Sequence, residues 1–192
     1  MFHPETLATT VLLKQHTART HEELEQILLP RIEGVDSIDS YHDLLKIFYG
    51  FFKPLEERVL IYIDETILPD INNRRKTQLI LQDLQVHYNH KLSISKDLPQ
   101  INNTMQALGA MYVMEGSTLG GRGITRMLLK NNNFLNPSGI VFFNGYGAET
   151  GQMWTAFQKV INSIDGDDAT QQMLHAANDT FLKFKYWIQS TI

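Results

Sequence analysis

Cysteine is absent from the 192 residues, which excludes disulfides, thiolate metal centres and thiol nucleophiles. A chain without thiols suits a reducing compartment, and the expected location is the cytoplasm. There is no excess of basic charge either. Seventeen Lys and Arg against 21 Asp and Glu give a formal net charge of −4, so neither nucleic acid nor an anionic membrane surface is an expected partner. No apolar run approaches the ~18 residues of a membrane span. The stretch MFHPETLATT lacks the basic start and apolar core of a signal peptide. Strand-like alternation is scarce and no internal repeat is found. What remains, 43% hydrophobic and 20% charged residues, is the balance of one soluble domain over residues 1–192.

Helical periodicity fills most of the chain. A first helix is expected from Pro4 to Leu29, because proline is tolerated in an opening turn, with Pro30 and Gly34 ending it. A second segment, Ser37–Ile67, carries Tyr41, Leu44, Leu45, Phe48, Phe51 and Phe52 at helical spacing, and Pro54 should kink it or split it in two. A polar helix is expected from Ile71 to Tyr88, a loop around 93–103, and a long helix from Thr104 to Leu129. NNNFLNPSG reads as a connection. VFFNGYG has strand character but no strand to pair with. Helices over Glu149–Ile164 and Asp168–Ile188 complete an all-α protein.

Chemistry concentrates in two of these helices. In LLKQHTARTHEELEQ, His21 lies seven residues after Lys14 and returns to within about 20° of its face. Thr17 and Ala18 share the stripe, and Glu25 is one turn beyond. An imidazole is a competent axial ligand for heme iron. A carboxylate at i+4 can orient its second ring nitrogen, and a lysine about 10.5 Å along the axis can reach a propionate at the heme edge. The same pattern also suits a surface helix with a half-buried histidine.

The second helix contains MQALGAMYVMEGSTLGGRGITRML, with glycines at 109, 116, 120, 121 and 123. Gly109, Gly116, Gly120 and Gly123 line one face, with Tyr112 between. Each interior glycine costs roughly 0.8–1 kcal/mol relative to alanine, so five cost about 4–5 kcal/mol, comparable with the stability of a small domain. Something must require them. A bare backbone face admits a flat ligand, and adjacent glycines permit a kink; close helix packing is the competing explanation.

These segments together resemble the heme oxygenase family. Lys14, Thr17 and His21 match the K-x-x-T-x-x-x-H spacing of its proximal helix. GAMYVMEGSTLGGRG resembles its distal helix, with the G-x-x-x-G-G pattern at Gly116, Gly120 and Gly121. ANDTFLKF resembles its C-terminal helix, which places Phe181 at the heme border. The segments YVMEGSTLGG and GYGAETGQMW are similar to the bacterial branch, including enzymes that make biliverdin for bacterial phytochromes. The likeness covers about 14–187.

The fold it implies is a multi-helix bundle with heme between the proximal helix and a glycine-kinked distal helix. The reaction it implies is oxidative opening of heme to biliverdin with release of carbon monoxide and iron. That reaction uses O2 and an external electron donor, a ferredoxin or a reductase, with heme as both substrate and cofactor. A phytochrome is an implied acceptor of the product. The implied site comprises His21 on the iron with Glu25 behind it, and Gly116, Ser117 and Gly120 at the reacting face. Lys14, Thr17, Tyr112, Gly121 and Phe181 are the further heme contacts.

Two positions depart from the family's animal members. Ser117 stands where they carry an aspartate that organises pocket water, and Gln158 where they carry a propionate-binding arginine; Lys159, next to it, should point elsewhere. A non-catalytic heme carrier or sensor stays open on the same residues. A relative adapted to thiamin-type or quinone substrates is argued against by retention of both helices.

Other patterns carry less. His87 and His90 are too few for a structural metal site, and the paired Glu-x-x-His elements of a di-iron bundle are missing. Trp154, Phe157 and Ile161 form a core stripe. Gly145–Gly151 shapes the start of a helix. Arg122, Arg126 and Lys130 recur every four residues as a basic strip, either a solvated face or a dock for an acidic reductant.

Overall fold

A computed structural model describes residues 7–85, 92–131 and 137–191. Among these residues every regular element is helical: α1 (Thr9–Glu33), α2 (Ile38–Val59), α3 (Gln78–Asp83), α4 (Thr104–Asn131), α5 (Val141–Asn144), α6 (Thr150–Asn162) and α7 (Asp167–Ser190), with short 3-10 turns between. The fold is all-α, as the periodicity predicts. No described helix is long and apolar enough to cross a membrane. His87 and His90 lie outside the described residues.

Several boundaries differ from expectation for identifiable reasons. Of the stretch expected to open α1, Leu7 and Ala8 are non-helical, and the helix starts at Thr9. It also continues through Pro30 to Glu33. Pro54 neither ends nor splits α2, which runs from a Ser37 capping box to Val59. A proline removes the hydrogen bond to the carbonyl four residues back, here that of Gly50. Ser95 supplies the missing donor, its N–H reaching Gly50 O at 2.7 Å. Tertiary structure thus repairs what the sequence alone reads as a break.

Of the helix expected over Ile71–Tyr88, the described part, 71–85, holds a turn at Ile71–Asn73 and the six-residue α3, and 86–88 lie outside the described residues. The backbone opens at Arg74, which is extended (φ −71°, ψ 149°), and both Arg74 and Arg75 turn inward. VFFNGYG forms no strand. Val141–Asn144 is the helical turn α5, begun by Asp83, whose two carboxylate oxygens accept from the N–H groups of Val141 (2.9 Å) and Phe142 (2.8 Å). Burial nevertheless raises the Asp83 pKa.

The core is rich in aromatic contacts. Phe48, Phe52 and Phe51 of α2 meet Phe142, Phe143 and Phe184 with ring centroids 4.9–6.4 Å apart, mostly edge to face, the arrangement ring quadrupoles favour. Helix α7 packs along both α1 and α4. Thr20 donates to Asn178 Oδ1 at 2.9 Å, and Lys185 pairs with Glu23 at 2.8 Å, tying α1 to α7 on either side of His21.

The glycines of α4 separate by purpose. A Cβ on Gly109 would lie 2.3 Å from Met173 O, and one on Gly121 would lie 2.2 Å from Phe143 O. These two permit close packing against α7 and α5. At Gly116 the nearest atom would be Trp154 at 3.9 Å, and at Gly120 and Gly123 nothing lies within 4 Å. Gly121→Ala should therefore destabilise the ligand-free protein by about 1–3 kcal/mol, because backbone cannot yield to the added methyl. Gly120→Ala should leave it unchanged or add up to ~1 kcal/mol through helix propensity. Urea unfolding of the two variants checks the order; equal losses would remove the distinction.

Candidate functional site

A cavity of about 610 Å³ lies between α1 and α4, within the range of small-molecule and cofactor sites. From α1 come Lys14, Thr17, Ala18, His21 and Glu25, the stripe expected from their spacing. From α4 come Tyr112, Gly116, Ser117 and Gly120. Phe48, Phe52, Phe142, Phe143 and Phe184 supply apolar surface, and Phe181 borders the cavity beside His21. The Phe181 ring meets the His21 imidazole edge-on, with centroids 5.2 Å apart at 69°.

His21 has half of its side-chain surface accessible (51%), and its Nε2 lies 3.6 Å from Glu25 Oε1. That is longer than a hydrogen bond, so Glu25 is near enough to orient the ring without engaging it. His16 faces elsewhere, with its ring 6.1 Å from that of His175. Thr17 donates to Leu13 O at 2.8 Å, and its hydroxyl also shares a hydrogen bond with the Tyr112 phenol. Burial raises the Tyr112 pKa against that bond. Lys14 and Gln158 both border the cavity, whereas Lys159 lies with Asp70 at a separate surface depression.

Gly121, expected among the ligand contacts, does not border the cavity: its α-carbon is turned to the Phe143 carbonyl. Trp154 belongs to the site rather than solely to the core. It borders the cavity, 5.6 Å from the Tyr112 ring, while Phe157 and Ile161 are fully buried behind it.

The largest addition to the sequence reading is a buried polar group behind and beside α4. Glu115 points away from the cavity and accepts from Arg74 Nη1 at 2.7 Å and from the Tyr146 hydroxyl. Arg74 also pairs with Asp70 and donates to Met153 O. Tyr146 sits between Gly145 and Gly147, both in the left-handed region (φ +57° and +56°); the bend that they permit aims its ring inward. Its hydroxyl accepts from the Arg75 N–H at 2.8 Å. Burial, with Glu115 close by, pushes the Tyr146 pKa well up, so the phenol stays neutral.

Arg75 reaches the cavity. Its Nη2 donates to Met114 O at 2.9 Å and to Ser117 Oγ, and its guanidinium lies 4.4 Å from the Phe142 ring centre. Burial lowers its pKa. Two consecutive arginines in a stretch expected to be a polar helix are the only trace of this arrangement in the sequence.

A flat apolar ligand fits this space. Bare backbone at Gly116 and Gly120 leaves room on one wall, the imidazole of His21 faces in from α1, and aromatic rings close the sides. No curated protein sequence matches the chain. Solved structures do match its fold. A heme oxygenase from Leptospira interrogans has a TM-score of 0.75 at 16% identity, covering 96% of this chain and 100% of that one. The NO- and CO-bound heme oxygenase from Neisseria meningitidis has a TM-score of 0.72 at 20% identity, covering 97% and 92%. Heme oxygenase-1 from the cyanobacterium Synechocystis, in complex with heme, has a TM-score of 0.70 at 16% identity, covering 96% and 92%. The heme oxygenase family model matches residues 7–190, and the chain belongs to the heme oxygenase family.

Proposed function

We propose that this family member takes heme into the cavity between α1 and α4, with His21 on the iron, and opens it oxidatively to biliverdin, carbon monoxide and free iron. The observation that carries the assignment is one cavity bordered by both the His21 imidazole and the open backbone of Gly116 and Gly120. When bound, heme supplies the iron that activates O2, and is itself the molecule consumed.

The roles of the chain's own residues follow from their chemistry. His21 is a neutral nitrogen ligand, and Glu25 biases its ring orientation across 3.6 Å. Phe181 packs on the imidazole edge. Gly116 and Gly120 let the helix backbone approach the ring plane, and Tyr112 and Trp154 pack beside them. Lys14 and Gln158 offer a cation and an amide for the propionates, the arrangement used here in place of an arginine. Ser117 donates to Met114 O at 2.7 Å and accepts from Arg75, so it holds cavity water by hydrogen bonds and not by charge. Gly121 acts indirectly, by seating α4 on α5.

The reaction consumes electrons, which an external donor supplies. Arg122 and Arg126 are exposed on the last turns of α4, and with Lys130 they suit an acidic donor such as a ferredoxin or flavoprotein reductase. A phytochrome is the proposed acceptor of the product.

Purified protein should bind one hemin as a histidine complex with a defined Soret band. His21→Ala should lose the native axial bond, with partial recovery on adding imidazole. An unchanged iron–histidine stretch in that variant would place the ligand elsewhere. With a competent reductant and O2, the complex should convert to biliverdin with carbon monoxide released; persistence of intact heme would make the protein a carrier. Gly120→Leu should lower biliverdin yield far more than ligand-free stability.

Reduction by an acidic donor should slow with rising salt. Charge reversal at Arg126 should lower its rate several-fold, and an unaltered rate and salt dependence would remove this surface from the proposal.

A further inference from the structure

Arg74 and Arg75 are adjacent in sequence but differently matched in charge. Arg74 is 3% exposed and spans two carboxylates, Asp70 and Glu115, both at 2.7 Å. Its charge is balanced on the spot. Arg75 borders the cavity with a carbonyl, a hydroxyl and an aromatic face as its partners. Among the described residues, no carboxylate lies within ion-pair distance of it. The other charged or titratable groups on the cavity wall are Lys14, His21 and Glu25 of α1 and the phenol of Tyr112 on α4, which burial keeps neutral. Glu115 and Glu56 act on Arg75 only at longer range, and a largely desolvated guanidinium with no carboxylate in contact favours an anion that can reach it.

The guanidinium is also fixed. Met114 O and Ser117 Oγ hold Nη2, and the Arg75 N–H is anchored on Tyr146, itself bonded to Glu115. Its charge cannot swing to solvent without breaking several hydrogen bonds.

We propose that Arg75 makes the α4 side of this cavity selective for small anionic ligands over neutral ones, its fixed guanidinium complementing negative charge on whatever occupies the iron's remaining face. The assignment rests on the heme reading above. It differs from the arrangement expected around a distal carboxylate, because the charge brought to the site is positive and Ser117 serves to hold it.

The test compares an anion with a neutral ligand on the same protein. Formation of a Soret band by the wild type with hemin tests the heme reading first and separately. Azide affinity is then titrated on the oxidised hemin complex and carbon monoxide affinity on the reduced one, for wild type, Arg75→Gln and Arg75→Lys. Gln keeps hydrogen-bond donors and removes the charge. It should weaken azide about tenfold or more, the scale of one charge-assisted hydrogen bond, and leave carbon monoxide within about twofold. Lys should retain most of the azide affinity. Arg75→Met, whose apolar stem fits over Phe142, repeats the measurement should the Gln variant not fold. Unchanged azide affinity in the neutral variants, or equal losses of azide and carbon monoxide, would overturn the assignment of Arg75 while leaving heme binding at His21 intact.

Discussion

The two helices that wall the cavity are held apart by being held to a third. α1 and α4 touch each other little, and each packs along α7. Direct packing of the walls would close the space the ligand needs. On the α1 side the clamp includes polar ties, Thr20 to Asn178 and Glu23 to Lys185, because α1 buries few large apolar side chains: Leu13, Leu24 and Ile32 are its buried ones. On the α4 side the clamp is backbone contact, made possible by Gly109 against the Met173 carbonyl. His21 is thereby set from two neighbouring positions on its own helix, with Phe181 of α7 fixing the ring itself.

The hidden side of α4 is fixed by charge. The Glu115–Arg74 pair is almost fully buried, and removing Arg74 would strand the Glu115 carboxylate at a cost of about 3–5 kcal/mol. This pair ties the segment after α2 to the middle of α4, one residue before Gly116. It also decides which arginine is available. Asp70 and Glu115 both make their ion pairs with Arg74, so the next residue enters the cavity wall with no carboxylate in contact. The network therefore fixes the position of the open helix face and the sign of the charge beside it.

Much of this was legible from spacing. The Lys14–Thr17–His21–Glu25 stripe borders the cavity as its period requires, and an all-α fold follows from the absence of strand alternation. Gly116 and Gly120 border the cavity, but the four-glycine face does not act as one surface: Gly109 is covered by α7. Helical period gives a face, and only the neighbouring helices decide which part of it is buried. Pro54 shows the complementary difficulty. Its cost is local and readable, whereas the Ser95 N–H that relieves it comes from a loop 41 residues away. Arg75 was illegible for the same reason. Charged residues in a polar stretch signal solvent exposure, and only the tertiary contacts of Arg74 turn this pair inward.

The distribution of packing between the two walls bears on how the site fills. A cavity deprives the side chains around it of contacts, and the loss grows with its volume. The α4 wall is insulated from that loss, because its opposite face is locked by the Arg74–Glu115 pair and by contacts to α5 and α7. The α1 wall has no such backing: His21 and Glu25 remain half accessible, and the helix is secured mainly along its α7 edge. A ligand spanning both walls thus replaces contacts that α1 lacks more than contacts that α4 lacks. Its binding free energy is also stabilisation of the folded state, and that stabilisation falls chiefly on α1. Rigidity is built into the helix that carries the open glycines, through its crowded contacts at Gly109 and Gly121, and compliance into the helix opposite.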